Sequence, residues 1–328
     1  MNIGIAKIGQ KVFFNRNAKE VKRSNTNGNF GCYRLLSLLF ELNKKDTFYF
    51  FSKNDLCIGS YDNVFPFVAN PKDLDCIILI PGLVLSEDDV YTLNEISNCK
   101  CKLVILSDDP RCLRETLKNL NKRPDFIGMQ NNDFVYWNNK VLDGFYVPLE
   151  MAQNYKFKRP IYFYKQFDFT VIANDSGDRY NRIKILSELI PDIDVNIYGR
   201  ISDEQKAILG KNKCRGEVEY SEMQHILSKT LATLLIPIEK NLVTSKYIEA
   251  IQNRVIPIFH KDYNVNLLGL TGYPLLVSNN EQLKGCLKTI KSNPYFVTTT
   301  NKVLYSNYVE PYIDGTKLNE IIKEIVRG

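Results

Sequence analysis

Two charged side chains, Lys246 and Glu249, lie three residues apart in a segment with a helical pattern. Residues at this spacing share one face of a helix. A strand-like run at 231–236 precedes the helix, and another at 255–259 follows it, as in a parallel sheet. A carboxylate near the start of such a helix can accept two hydrogen bonds from a ribose diol, and the helix N-terminus attracts phosphate. We therefore predict a nucleotide pocket; the alternative is a solvated surface pair.

The other residues of this segment are consistent with a helix that packs on a sheet. Thr244 or Ser245 can cap its N-terminus. Tyr247, Ile248 and Ile251 form an apolar face, which would lie against the strands. The charged pair is then expected on the polar face of the helix.

Two adjacent carboxylates, Asp108 and Asp109, directly follow a buried run at 103–106, and Arg111 comes two residues later. The chain has only two histidines, so a carboxylate is the more available general base. We interpret the two aspartates as a catalytic pair. The alternative is a helix cap with Pro110 at the first helical position. Both hold together if Asp109 caps and Asp108 faces a cleft.

Positive charge is concentrated in a long loop after the first strand at 2–6. The loop follows Gly9 and carries five basic residues: Lys11, Arg16, Lys19, Lys22 and Arg23. A strand, a glycine-bearing loop and a helix form the first unit of a doubly wound domain, whose ligands bind at this edge. These cations either meet phosphates or belong to a solvated loop.

A second group of cations opens the helix predicted at 180–189. Arg179 and Arg182 are expected in its first turn, where cations oppose the helix dipole. An anion should compensate for them. A nucleotide diphosphate would do so, and Asp175 and Asp178 are the alternative.

Length and composition limit the class of protein. The chain has 328 residues, 44% hydrophobic and 24% charged, with a net charge of +6 and eight scattered cysteines. These values predict two domains of an ordinary globular protein with reduced thiols. No run reaches membrane-spanning length, and no signal peptide is evident. We expect a cytoplasmic protein without a membrane partner.

Alternating strand and helix patterns predict an α/β fold with parallel sheets. A first series runs through strand-like segments at 48–51, 76–80 and 103–106, with a helix at 87–96. A second series begins at 169–173. The predicted divisions are an N-terminal Rossmann-like domain at 1–150, a C-terminal one at 168–310, and a closing segment at 311–328 with its helix at 317–326.

Taken together, these features resemble the GT-B glycosyltransferases and, more narrowly, the DNA β-glucosyltransferases of T-even phages. The resemblance rests on five segments in order: 1–9, 106–108, 176–179, 216–218 and 244–249. It implies two Rossmann-like αβα domains facing across a cleft, with the C-terminal helix returning to the first domain. It also implies inverting transfer of glucose from UDP-glucose to 5-hydroxymethylcytosine in DNA, so that the host cytoplasm is the expected location if the chain is phage-encoded.

The resemblance also implies roles for individual residues. Asp108 inherits the general-base role, Arg179 the diphosphate contact, Val218 a loop that recognises uracil, and Glu249 the ribose contact. The donor-binding set predicted in full is Gly9, Arg179, Arg182, Gly199, Val218, Thr244, Ser245, Lys246 and Glu249. The set predicted to contact DNA is Arg16, Lys19, Lys22, Arg23 and Arg111.

The chain departs from the family pattern at two positions. Asp175 stands where the family has a second arginine, and Lys246 stands where it has an arginine that can bind phosphate bidentately. The expected ligands are a UDP-sugar, which can bring Mg²⁺ or Mn²⁺ without a dedicated protein site, and double-stranded DNA with modified pyrimidines. A monomer is expected. The alternatives are a glycosyltransferase acting on surface polysaccharide or another glycan, and a non-catalytic protein that binds nucleotide sugars or DNA.

Overall fold

The structure is a computed structural model, and the part of the chain that it describes falls in separate ranges. These are residues 1–8, 13–15, 40, 43–51, 56–58, 62–65, 70–82, 84–107, 110–129, 144–146, 165–173, 181–238, 240, 243, 246–310, 320 and 323. The chain divides into two compact units, Met1–Lys156 with Tyr312–Gly328, and Phe157–Pro311. The helix predicted at 317–326 lies outside the described residues except for positions 320 and 323, which are helical.

The first unit is built on a parallel sheet. Its strands are β1 (Asn2–Lys7), β2 (Phe13–Asn15), β3 (Thr47–Phe50), β4 (Leu56–Ile58), β5 (Val64–Phe65), β6 (Cys76–Ile80), β7 (Lys102–Ser107), β8 (Phe126–Met129) and β9 (Gly144–Tyr146). Seven of them form one sheet in the order β5-β3-β1-β6-β7-β8-β9, and β2 pairs separately with β4. The chain builds outward from β1 to β5 and then crosses to β6, so β1 and β6 meet at a topological switch point.

Helices cover this sheet because its central strands are apolar on both faces. All five residues of β6 are buried, as expected of a parallel strand enclosed by helices. Helix α1 (Glu87–Asn98) begins with a capping box between Ser86 and Asp89, which satisfies otherwise orphaned backbone donors. It buries Leu93 and Ile96 in the core of the unit. Helix α2 (Pro110–Asn119) follows β7.

The second unit repeats this arrangement. Its strands are β10 (Phe167–Ile172), β11 (Asn196–Tyr198), β12 (Cys214–Gly216), β13 (Thr230–Leu235), β14 (Ile256–His260) and β15 (Leu276–Val277). They form one sheet of parallel strands in the order β12-β11-β10-β13-β14-β15. Its helices are α3 (Arg182–Leu189), α4 (Asp203–Leu209), α5 (Tyr220–Ser228), α6 (Lys246–Gln252), α7 (Asn280–Ser292) and α8 (Pro294–Tyr308).

The α/β class with two parallel sheets, predicted from the alternating pattern, is confirmed, whereas helix α8 was missed. Asn293 caps α8 and Pro294 occupies its first turn, which is a helix start signal. The residues that follow lack a clear apolar stripe, and only Leu304 among them is fully buried. A periodic pattern therefore could not reveal this helix.

No helix within the described ranges is long and apolar enough to cross a membrane.

Candidate functional site

A crevice lies at the switch point of the second sheet. From β10 the chain passes to β11 and β12 on one side, then returns to β13 on the other. Doubly wound sheets bind ligands at the carboxyl ends of the strands at such a point. A cavity of about 10 Å³ occurs at this edge, lined by Ile172, Leu227, Thr233, Leu234, Leu235, Lys246, Glu249 and Ala250. It has room for about one water molecule or hydroxyl group.

Glu249 places a carboxylate in the lining of this cavity. Its side chain is 5% exposed, and its Oε2 lies 3.0 Å from Nζ of Lys246, which is 23% exposed. The prediction that the two residues share a helix face is confirmed. The alternative of a solvated surface pair is wrong, and so is the expectation that the pair lies on a polar face, because the residues of α6 from Tyr247 to Ile251 are all buried.

The backbone of α6 is held at its C-terminal end by a buried amide network. Nδ2 of Asn253 donates to the Glu249 carbonyl oxygen and to Oε1 of Gln224, each at 2.7 Å. The side chains of Asn253 and Gln224 are both buried. This network fixes the turn of α6 that carries Glu249. Neither amide was predicted, because Gln224 lies on the separate helix α5 and the sequence alone does not show that it contacts Asn253.

Helix α8 supports α6 from outside the sheet. The rings of Tyr247 and Tyr308 meet edge to face, with 6.2 Å between their centroids. The guanidinium of Arg254 lies 3.3 Å from the centroid of the Tyr305 ring and donates to the Asn301 carbonyl oxygen at 3.3 Å. Helix α8 thus stabilises the helix that carries the candidate ligand-binding carboxylate.

The loops after β11 and β12 lie at the same edge of this sheet. The backbone N–H of Gly199 donates to the Gly216 carbonyl oxygen at 2.8 Å. Both residues have positive φ, 139° and 89°, a region that favours glycine. Val218 packs against a small cluster that includes Leu227 and Ala250, and both of these also line the cavity. The structure therefore brings the loop at 216–218 next to α6.

The cations predicted at the start of α3 are placed differently. Helix α3 begins at Arg182, with Asn181 as its N-cap at φ 55°. The prediction that Arg179 lies in the first turn is wrong, because residue 179 precedes the cap. Asn181 itself has a left-handed backbone conformation, which a short polar side chain tolerates. Arg182 is the first residue of α3, so the prediction that it lies in the first turn is confirmed.

In the first unit, β7 ends at the buried Ser107 and α2 begins at Pro110. The predicted position of Pro110 at the start of a helix is therefore confirmed, whereas the cap itself lies outside the described residues. Asp108 and Asp109 lie between these elements, outside the described residues. Other predicted site residues also lie outside the described residues: Gly9, Arg16, Lys19, Lys22, Arg23, Arg179, Thr244 and Ser245. For Arg111 the structure describes only the backbone, which is helical in α2.

A buried lysine at the switch point of the first sheet escaped sequence analysis. Lys7 ends β1 and is 7% exposed. Its Nζ donates to the carbonyl oxygens of Ile8, at 2.7 Å, and Pro81, at 3.1 Å. Lysine is rarely buried to this extent. A single cation in an apolar strand gives no periodic signal by which it could have been found.

The two histidines do not form a catalytic centre in the described part of the chain. His225 is exposed on α5. His260 is buried at the end of β14, and burial lowers the pKa of its imidazole, partly opposed by nearby Asp262. Among the described residues, no three His, Cys, Asp or Glu side chains converge as a metal site.

No protein-family model matches this sequence, and no curated protein matches it significantly.

Solved structures, in contrast, match the fold along nearly the whole chain. Phage T4 BGT in complex with its UDP-glucose substrate has a TM-score of 0.67 and 14% identity, over 99% of each chain. The DNA-modifying enzyme β-glucosyltransferase has a TM-score of 0.69 and 15% identity, over 100% of each chain. Anabaena HepE in complex with UDP has a TM-score of 0.60 and 10% identity, over 99% of this chain and 100% of its own. With two parallel sheets and these matches, the chain has the fold of the GT-B glycosyltransferases.

Proposed function

We propose that this protein is a glycosyltransferase that binds a UDP-sugar at the crevice between β10 and β13. The observation that carries the proposal is the position of Glu249, a buried carboxylate paired with Lys246 at a topological switch point. A buried charge of this kind is costly unless it has partners. A ribose diol supplies two hydroxyl donors, which a carboxylate can accept together.

The remaining proposed donor contacts involve other residues of the second unit and, from the first unit, Gly9. The loop at 216–218 recognises the uracil, with Val218 next to the cavity and Gly199 beside it. Arg179 and Arg182 bring positive charge to the diphosphate, and Thr244, Ser245 and Gly9 complete the donor set. The support for the role of the loop at 216–218 is its backbone contact with Gly199 and the shared packing of Val218 with α6.

In the proposed reaction Asp108 is the general base. It removes the proton from the acceptor hydroxyl as that oxygen attacks the anomeric carbon on the face opposite the diphosphate. The new C–O bond forms while the bond between the anomeric carbon and the β-phosphate oxygen breaks. UDP leaves with the electron pair of that bond, and the anomeric configuration is inverted in the product. Cations near the diphosphate stabilise the negative charge that grows on it.

A divalent metal has no protein-supplied site in this proposal. The described residues do not fit one, because no three ligating side chains converge. Mg²⁺ or Mn²⁺ would instead be bound by the donor's own phosphate oxygens.

The proposed acceptor is a 5-hydroxymethylpyrimidine in double-stranded DNA, and the proposed sugar is glucose. Support comes from the whole-length fold match to a DNA-modifying enzyme, the net charge of +6, and basic residues at 16–23 with Arg111. The target base would have to leave the helical stack to reach a general base. The basic residues would contact backbone phosphates.

A glycan acceptor is the second candidate, and one observation favours it. A glycosyltransferase involved in avilamycin A biosynthesis matches 99% of this chain with a TM-score of 0.59. The same fold therefore occurs in a glycosyltransferase involved in the biosynthesis of avilamycin A, so the fold alone does not select DNA as the acceptor.

Mass spectrometry of nucleosides tests the proposal. Hydroxymethylcytosine DNA and hydroxymethyluracil DNA are each incubated with the protein and a panel of nucleotide sugars, then digested. We expect a hexose adduct on a hydroxymethylated base with UDP-glucose. If no donor modifies either DNA, and the DNA is not bound at low salt, the glycan acceptor replaces the DNA acceptor.

A further inference from the structure

The ammonium of Lys246 contacts the carboxylate of Glu249. The distance from Nζ to Oε2 is 3.0 Å, and both side chains are largely buried. Other lysines of the chain form pairs at the same spacing, such as Lys118 with Glu115, but that pair is exposed. An exposed pair contributes little, whereas a buried carboxylate depends on its partner.

Within the described part of the chain, the contacts of the Glu249 carboxylate leave one of its sides open. An ionised carboxylate has two oxygens and about four lone-pair positions, and Lys246 occupies part of Oε2. The backbone of the residue is fixed from the other end by the Asn253 amide, which donates to its carbonyl oxygen at 2.7 Å. Lys246 thus holds the carboxylate of Glu249 and Asn253 holds its backbone, and the carboxylate keeps capacity for two hydroxyl donors.

We propose that Lys246 is a positioning residue that acts through Glu249, by holding its carboxylate toward the ribose diol. This inference rests on the proposed function and deepens it, because it assigns Lys246 to recognition of the nucleoside instead of the diphosphate. A lysine suits this task, since a compact ammonium can bind one carboxylate oxygen and leave the other accessible.

Uridine and UDP separate the two roles, because uridine has the ribose diol and no phosphate. Affinities of both ligands, and of 2′-deoxyuridine, are measured by NMR titration of wild type and Lys246→Met. We expect Lys246→Met to weaken uridine and UDP by the same factor, on the order of tenfold to a hundredfold for a charged hydrogen bond. The preference for uridine over 2′-deoxyuridine should fall as well, and Lys246→Arg should restore part of it.

Two results with Lys246→Met would overturn the inference and leave the proposed function intact. If UDP weakens while uridine keeps its affinity, Lys246 contacts phosphate directly. If both ligands bind Lys246→Met as tightly as wild type, Lys246 has no role in donor binding. A wild-type protein that binds neither uridine nor UDP would overturn the proposed function itself, and this inference with it.

Matched variants protect the comparison from a folding defect. Lys118→Met breaks an exposed pair of the same spacing on α2 and should leave every affinity unchanged. In a Glu249→Gln background, Lys246→Met should cause no further loss of uridine affinity if it acts through Glu249. A full additional loss in that background would contradict the mechanism, and thermal unfolding without ligand shows whether each variant is folded.

Discussion

Glu249 is a residue whose environment is better explained by ligand binding than by stability. Its carboxylate is buried beside Lys246, and replacing such a pair by apolar residues is often neutral or stabilising. The surrounding residues of α6 are apolar and would accommodate that replacement. A buried carboxylate that opens onto a small cavity at a sheet edge is instead arranged to accept hydrogen bonds from a ligand.

Asp108 carries the chemical step in the proposed mechanism. Asp108→Asn keeps the size of the side chain and removes its capacity to take a proton. Transfer should fall on the order of 10²–10⁴-fold, as for loss of a general base, while UDP-glucose affinity stays near wild type. The assay is single-turnover transfer with calorimetric donor binding. Asp109→Asn is the matched control, and a swap of the two phenotypes would assign the base to Asp109.

Lys165 has a partly buried amine at the C-terminal ends of α5 and α6, so the pH dependence of stability can test the packing there. Its Nζ donates to the Ser228 carbonyl oxygen at 2.7 Å and to that of Asn253 at 3.3 Å. Burial, and then the charge of Arg254, lowers the pKa of this amine from 10.5 to about 8. Between these two values the unfolded chain binds more protons than the folded chain, so the contribution of Lys165 to stability rises with pH.

Urea denaturation of wild type and Lys165→Met checks this prediction. The free energy of unfolding of wild type, minus that of the variant, should increase between pH 8 and pH 10.5. Below pH 8 the difference should be constant with respect to this group. A difference that falls across the upper window would contradict the burial of an amine at this position.

At the scale of elements, the turn after α6 contains a residue with a strained backbone, Arg254, whose side chain also packs against α8. The N–H groups of Arg254 and Val255 donate to the carbonyl oxygens of Ile251 and Ala250, both at 3.0 Å, which is the Schellman arrangement. Arg254 has φ 57°, where glycine is the usual residue. Its guanidinium reaches Tyr305 on α8, so this position links the end of α6 to α8.

Two substitutions of Arg254 separate the contribution of its side-chain contacts from the cost of its left-handed backbone. Arg254→Ala loses the ring contact and the bond to the Asn301 carbonyl oxygen, and should lower the free energy of unfolding by about 1–3 kcal/mol. Arg254→Gly loses the same contacts but relieves the left-handed backbone, and should be about 1 kcal/mol more stable than the alanine variant. Thermal unfolding measures both. Equal stabilities for the two variants would show that the backbone carries no strain.

The elements differ in how far the sequence could predict them. Strands such as β6 were predicted because an unbroken apolar run at a length of five residues favours a strand buried on both faces. The pair of Lys246 and Glu249 was predicted because spacing alone places both on one face. Its burial was not, because cover for a helix comes from elements such as α8 that are distant in sequence or lack periodicity. Asn253 was missed for the same reason, whereas Lys7 was missed because a single cation in an apolar strand gives no periodic signal.

At the scale of the whole molecule, the proposed reaction needs both units. The proposed donor residues of the crevice belong to Phe157–Pro311, whereas Asp108 and the basic residues at 16–23 belong to Met1–Lys156. The net charge of +6 is modest, so specific phosphate contacts have to supply most of the affinity for DNA. Residues 16–23 and Arg111 are the candidates for these contacts.

The salt dependence of DNA binding tests this assignment. Each neutralised phosphate releases condensed counterions, so affinity falls linearly on a log–log plot against salt. The double change Lys22→Glu and Arg23→Glu should weaken DNA binding and reduce the slope by about 2, with donor affinity unchanged. Filter binding over a salt series measures both quantities. An unaltered slope would remove these two residues from the DNA contacts.

The central claim is that the Glu249 carboxylate accepts hydrogen bonds from the ribose hydroxyls of a UDP-sugar. Calorimetry of UDP-glucose binding tests this claim most directly. Wild type should bind UDP-glucose, and Glu249→Ala should lose about 1.5–3 kcal/mol of binding free energy, the contribution of hydrogen bonds to a charged acceptor. Glu249→Gln, which preserves the packing of α6, is the control for folding and should lose affinity in the same direction. A folded Glu249→Ala protein that binds UDP-glucose as tightly as wild type would contradict the claim.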